Sequence, residues 1–145
     1  MGKVRGTQDV KRNMRKIVGK ITGTMTEKAV TKILIAGQAA SDAITPIDSG
    51  NLINSKFREV KRTTTGYRGT TGYTAEYAKW VHEMSGKLKG QPRAHFGKTR
   101  EGVEFGGGTG VGNYWDPNAE PKFLKKGFER DAADEIQQII KSSYK

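Results

Sequence analysis

Thr24-Met25-Thr26-Glu27-Lys28-Ala29-Val30-Thr31-Lys32-Ile33-Leu34-Ile35-Ala36-Gly37-Gln38-Ala39-Ala40-Ser41-Asp42-Ala43-Ile44-Thr45-Pro46 is the stretch on which the fold class turns. Ala29, Val30, Ile33, Leu34, Gly37, Ala40 and Ile44 recur at three-and-four spacing, so a helix here turns one apolar stripe toward a core. Lys28, Lys32, Gln38 and Asp42 then face outward. Thr24 and Glu27 have the spacing of a capping box, which places the start of this helix at Thr24. Pro46 disfavours helical geometry at Thr45 and marks the end. Beyond it, Asp48 is suited to cap a short helix through Leu52 and Ile53, with Gly50 allowing the tight turn into it.

Working outward, Phe57 to Tyr73 is rich in Thr, Tyr, Val and Arg and is punctuated by Gly66, Gly69 and Gly72, which predicts a β-hairpin with Gly66 or Gly69 near its turn. Ala75 to Met84 brings Tyr77, Trp80 and Val81 together at helical spacing, so a short helix that packs these side chains is expected. At the far end, Leu124, Phe128, Ala132, Ile136, Ile139 and Ile140 trace one helical face. This predicts a single helix over 121–142, with Pro121 in its first turn and Phe123 off the stripe, packing where the chain enters. Its opposite face carries Lys126, Arg130, Asp134, Gln137 and Lys141, with Arg130 and Asp134 four apart and expected to pair. The fold class that follows is α+β: a small antiparallel sheet packed against a long helix of the N-terminal half and a C-terminal helix.

At 145 residues the chain is expected to form one domain, 24–145, preceded by a basic arm, 1–23. Hydrophobic residues make up 34% and there are 19 glycines, so the core must be small and stability must come from packing or from assembly. The absence of cysteine excludes a disulfide framework, thiol catalysis and a Cys-based zinc site. No apolar run approaches the length of a membrane span, so no membrane partner is expected. The formal charge is +11, and +7 of it falls within residues 1–40, where nine basic residues face only Asp9 and Glu27. Lys11, Arg12, Arg15 and Lys16 make the arm either a solvated tail or a contact for DNA or an acidic partner. The stretch 85–113 holds nine glycines in 29 residues and reads as a long projecting loop. Its Arg93, Lys98 and Arg100, interleaved with His95 and Phe96, suit a nucleic acid or an acidic protein surface.

Motifs for chemistry are lacking. Gly97-Lys98-Thr99 ends like a phosphate-binding loop, but the glycine that motif needs five positions earlier is Pro92. Gly106 to Gly112 has no register with dinucleotide-binding spacing. His82 and His95 have no partner at a familiar metal-ligand spacing, and adjacent side chains such as His82 and Glu83 diverge on a helix. His82 reads as the edge of a packed aromatic cluster. The sequence therefore predicts no enzyme, no cofactor and no catalytic or metal-binding residue.

Three short segments, in order, resemble one family. Pro46-Ile47-Asp48-Ser49-Gly50-Asn51-Leu52 is similar to a P-x-D-[ST]-G-x-L signature, Glu76-Tyr77-Ala78-Lys79-Trp80-Val81-His82 to E-Y-A-x-[YW]-V-[EH], and Pro121-Lys122-Phe123-Leu124-Lys125-Lys126-Gly127-Phe128 to P-x-F-[LM]-[RK]-x-[AG]-[LF]. All three are signatures of the tailed-phage neck, head-tail joining or tail-completion (minor capsid) proteins. The resemblance runs from Thr24 to the C-terminus. The basic arm lies outside the shared pattern, and the Gly-rich stretch is longer than the family's usual link. The resemblance implies a virion protein, made in the host cytoplasm, that forms a homo-oligomeric ring, hexameric in siphophage-like tails, at the head-tail junction. Its implied neighbours are head-closure, tail-terminator or tail-tube subunits, with transient contact to double-stranded DNA. The positions carried over are Pro46, Asp48, Gly50, Leu52, Tyr77, Trp80, Val81, Pro121, Phe123, Leu124 and Phe128, all with structural roles. The residue reading leaves a second function open, a standalone basic nucleic-acid-binding protein, and ranks a small nuclease or toxin third.

Overall fold

A computed structural model of the chain describes residues 6–47, 50–92 and 116–144. The described elements are helix α1 (Thr7–Lys20), a wider π-type turn (Ile21–Met25), α2 (Thr26–Asp42), the single-turn α3 (Asn51–Asn54), strands β1 (Lys56–Thr63) and β2 (Gly66–Tyr73), α4 (Ala78–Glu83), α5 (Phe123–Lys126), a second π-type turn (Gly127–Asp131) and α6 (Ala133–Ser143). The class is α+β, with one two-stranded antiparallel sheet and the C-terminal helical segment both packed on α2.

The N-terminal segment is helical from Thr7 and continues into α2, so no helix starts at Thr24. The residue before α2, Met25, has helical dihedral angles and no side-chain cap, because the amides that a capping box would satisfy are already paired through the preceding turn. The junction is marked instead by Gly23, which leaves helical geometry at φ −109°, ψ −124°.

Helix α2 carries the packing. Leu34 and Val30 lie over Gly69 of β2, where a Cβ would come within 2.7 Å of Val30 Cγ1. Gln38, expected to face solvent, is buried. Its Nε2 donates to the Phe57 carbonyl at 2.9 Å and to Thr71 Oγ1 at 2.8 Å, and its Oε1 accepts from Arg58 Nη1 at 2.9 Å. One amide thus ties the helix to both strands, and its full complement of partners is what permits its burial. The strands pair in the register Phe57↔Gly72 and Arg58↔Thr71, and Thr64-Thr65 form the two-residue turn just ahead of Gly66. Further along, Ser41 in the last turn of α2 and Thr45 just beyond its end are also buried. Their hydroxyls donate to the carbonyls of Gly37 (2.8 Å) and Ser41 (2.7 Å), so neither is left unpaired.

The C-terminal segment is broken, not one helix over 121–142. Pro121 precedes the helical turn rather than entering it; Lys122 adopts a left-handed conformation (φ 56°) and donates its amide to the His82 carbonyl at 2.7 Å, and α5 begins only at Phe123. The π-type turn brings Gly127 against the backbone of Ser41 and the Phe128 ring against Gly37, positions at which any Cβ would overlap its neighbour. The chain then bends at Ala132 before α6. The extra residue in that turn moves the expected stripe off the core. Ala132 is buried, Ile136 and Ile139 are half-buried, and Ile140 is 42% exposed. The side chain placed off the stripe, Phe123, is the one fully enclosed, at 0% exposure.

Burial therefore predicts that Phe123→Ala will lower unfolding free energy by about 3–5 kcal/mol in urea titrations, while Ile140→Ala costs less than about 1 kcal/mol. Equal losses for the two variants would place the core along the α6 stripe instead.

Candidate functional site

The three segments that carry the family resemblance meet at one place. Leu52 from the first, Ala78 from the second and Phe123 from the third form one buried cluster, lined by Ile44, Tyr73, Ala75, Val81 and Leu124. Tyr73 and His82 meet the Phe123 ring edge-on, with centroids 5.4 Å and 5.0 Å away and interplanar angles of 80° and 76°. Burial raises the Tyr73 pKa above the usual tyrosine value, opposed by its 3.2 Å hydrogen bond with Thr45 Oγ1. Around this cluster, Gly50 supplies the left-handed turn (φ 81°) into α3, and no side chain caps that helix. Asp48 lies outside the described residues. Pro46 is half-buried, and Phe128 is seated against Gly37.

Among the described residues, Tyr77 and Trp80 do not pack into the core. Their helix turns Ala78 and Val81 inward, which leaves Tyr77 exposed and Trp80 at 74% exposure. Met84, one turn further on, is exposed too. A solvent-facing aromatic stripe on a short helix is the kind of surface that partner proteins cover.

His82 and Glu83 do meet, against expectation: His82 Nδ1 lies 3.0 Å from Glu83 Oε1. The short helix ends at Glu83, so this side chain is free to swing back toward its neighbour. That hydrogen bond is the main cause of a Glu83 pKa below the usual carboxylate value. The arrangement orients the imidazole against Phe123. Among the described residues no group of three or more His, Asp or Glu side chains is placed to hold a metal ion.

Two carboxylates that sequence reasoning missed organise the approach to α5. Asp116 is buried and accepts from the amides of Ile47 (3.1 Å) and Asn118 (2.8 Å). Asp116-Pro117-Asn118 has the composition of an Asx turn, which was a readable signal. Glu120 accepts from Arg130 Nη1 (2.9 Å) and Lys126 Nζ (3.0 Å), and these partners hold its pKa down at about 2. Arg130 also grips Asp131, through Nε at 2.6 Å, rather than the expected Asp134. The π-type turn carries Arg130 out of the i, i+4 geometry that pairing with Asp134 needs.

The basic arm forms its own surface. Lys11, Arg12, Arg15 and Lys16, together with Gln8, line one shallow hollow of about 460 Å³ on α1. Arg12 donates to Asp9 at 2.7 Å. The other side of α1 presents Val10, Met14, Ile17 and Val18, all more than half exposed, and α1 buries no residue. Arg93, Lys98 and Arg100 lie outside the described residues. No protein-family model, curated protein or solved structure matches the chain.

The Glu120 geometry yields a pH dependence. Because its pKa falls from 4.5 to about 2 on folding, its contribution is complete above about pH 4.5 and is lost as pH falls toward 2. Acid titration of stability should be steeper over that window in the parent than in Glu120→Gln, and 1 M salt should narrow the gap, since the group is solvent-screened. Superimposable titrations would show that the cluster contributes nothing to folding.

Proposed function

We propose that this chain is a structural, non-enzymatic virion subunit of a tailed phage that forms a ring at the head-tail junction, joining the DNA-filled head to the tail while letting DNA pass. The observation that carries this reading is the division of labour within the three motif segments. Leu52, Ala78, Val81, Phe123 and Leu124 build one shared core, whereas Tyr77 and Trp80 from the same segments stay in solvent. A core this small beside large exposed apolar surfaces suits a subunit that completes its burial in an assembly. His82 and Glu83 are the nearest approach to an acid-base pair; their role here is to orient a ring against Phe123.

A specific observation favours the second reading, a standalone nucleic-acid-binding protein: four cations gathered on one side of α1. Double-stranded DNA in a channel needs its charge offset without being held tightly, so the same four residues also serve the first reading.

Light scattering coupled to size separation at several salt concentrations tests the choice. The neck reading expects a discrete oligomer of several copies; in the same preparation, divalent metal should give no DNA cleavage. A monomer at every concentration that retains DNA with a steep salt dependence would support the alternative. Metal-dependent cleavage abolished by His82→Ala would overturn both.

A further inference from the structure

Among the described residues nothing covers α1: every residue from Gly6 to Lys20 is exposed, and the helix buries no side chain. Val10, Met14, Ile17 and Val18 fall within an arc of about 100° around its axis, with Ile17 at one margin and Val18 at the other. Each of the four is more than half exposed, so they form an open apolar seam. A fourteen-residue helix is at the length where isolated helices are marginal in water, so α1 gains stability from whatever covers this seam.

The charges of α1 surround the seam on both sides. Lys11, two turns before Val18, lines one margin, and Arg15 and Lys20 stand about 60° beyond the Val18 and Ile17 margins respectively. Arg12 and Lys16 occupy the back. Asp9, the one acid of the helix, lies on the far side from the seam and is held by Arg12 at 2.7 Å. Five cations against one carboxylate make a formal +4 on α1, within a chain that carries +11.

Only one kind of cover satisfies both the seam and the charges. A second copy brings another cationic helix on another cationic chain, which like-charge repulsion opposes. A nucleic-acid backbone pairs with the cations but leaves four apolar side chains in water. A protein groove is held chiefly by large anchors that fill pockets, and Val10, Met14, Ile17 and Val18 include no aromatic ring. An anionic bilayer surface needs no pocket: a narrow apolar seam enters the boundary between headgroups and acyl chains, and long Lys and Arg side chains on its two flanks reach the phosphates. Among the described residues no helix is long and apolar enough to cross a membrane, but lying in its surface requires only one apolar face.

We infer that α1 is an interfacial helix that lies along an anionic phospholipid surface, with the Val10–Met14–Ile17–Val18 seam among the acyl chains and Lys11, Arg15 and Lys20 on lipid phosphates. The contact needs only one copy of the chain, so it holds with or without the ring.

The absence of cysteine allows one reporter at a time in the full chain. Met14→Cys, on the seam, and Arg12→Cys, on the back, are each labelled with a polarity-sensitive fluorophore. Vesicles of phosphatidylglycerol and phosphatidylcholine in equal parts should shift the Met14→Cys dye to the blue and leave the Arg12→Cys dye unchanged, and pure phosphatidylcholine should shift neither. In co-sedimentation with the mixed vesicles, Lys11→Gln with Lys20→Gln should weaken binding about thirtyfold at low salt, and Ile17→Asp by about tenfold or more. Because α1 buries nothing, both variants should keep the urea midpoint of the parent, which separates weaker binding from loss of the fold. Undiminished binding by Ile17→Asp, equal blue shifts at both positions, or no binding to the mixed vesicles overturns the inference. A blue shift of the Met14→Cys dye produced without lipid by excess parent protein gives the seam to a second copy, and one produced by duplex DNA gives it to nucleic acid; either result overturns the lipid contact.

Discussion

Phe123 has no exposed surface, and three separate elements from earlier in the chain meet at its ring. Tyr73 comes from the end of the hairpin, His82 from α4 and Leu52 from α3, so each element owes its position partly to one aromatic side chain. The ring can reach this position because Lys122, immediately before it, adopts the left-handed conformation and anchors its amide on the His82 carbonyl. An L-residue in that region costs about 1 kcal/mol or more, a cost offset by burying an aromatic ring completely. The energetic logic is of a single small cluster under tension from its own approach, and the rest of the domain is fastened to it.

Fastening relies on two close approaches to α2. Gly127 sits against Ser41 and Gly37 against the Phe128 ring, so helix α2 and the C-terminal segment approach each other closely at two glycines. With no side chain on either glycine, these contacts fix the distance between the segments tightly. Polar burial follows the same economy of space. Gln38 and Ser41 on α2 and Thr45 just beyond its end are enclosed, each with hydrogen-bond partners, so this region presents paired polar groups where a larger protein would place aliphatic side chains.

That economy explains what was legible in the sequence. The α2 stripe, the hairpin, the short α4 and the helical C-terminal end follow from periodicity and turn chemistry, and Leu52, Ala78 and Phe123 each fall within a segment that could be singled out. Gln38 could not be placed, because its burial depends on the Phe57 carbonyl and Thr71, nearly twenty and more than thirty residues away. The stripe from Ile136 to Ile140 misled because periodicity assumes an unbroken 3.6-residue repeat, and the turn at Gly127–Asp131 resets it. Tyr77 and Trp80 read as core for a related reason: their spacing shows that they share a face, but spacing alone does not say whether that face looks inward or out. Of the candidate surface, the four cations of the arm were visible as a cluster in sequence, whereas the apolar seam on their reverse side emerged only once Thr7–Lys20 proved to be helical.

The turn at Ile21–Met25 adds a geometric consequence. Since α1 and α2 are joined through a segment that departs from the regular repeat at Gly23, the heading of α1 relative to the core is set by the number of residues in this joint and not by their chemistry. Each residue inserted or removed there would turn α1 about 100° around its axis. The composition, charge and helicity of the arm would be unchanged, yet its apolar side would face a different quarter of space. The angular phase of one short segment is in this sense a molecular dial, and it fixes the bearing on which the arm leaves the domain.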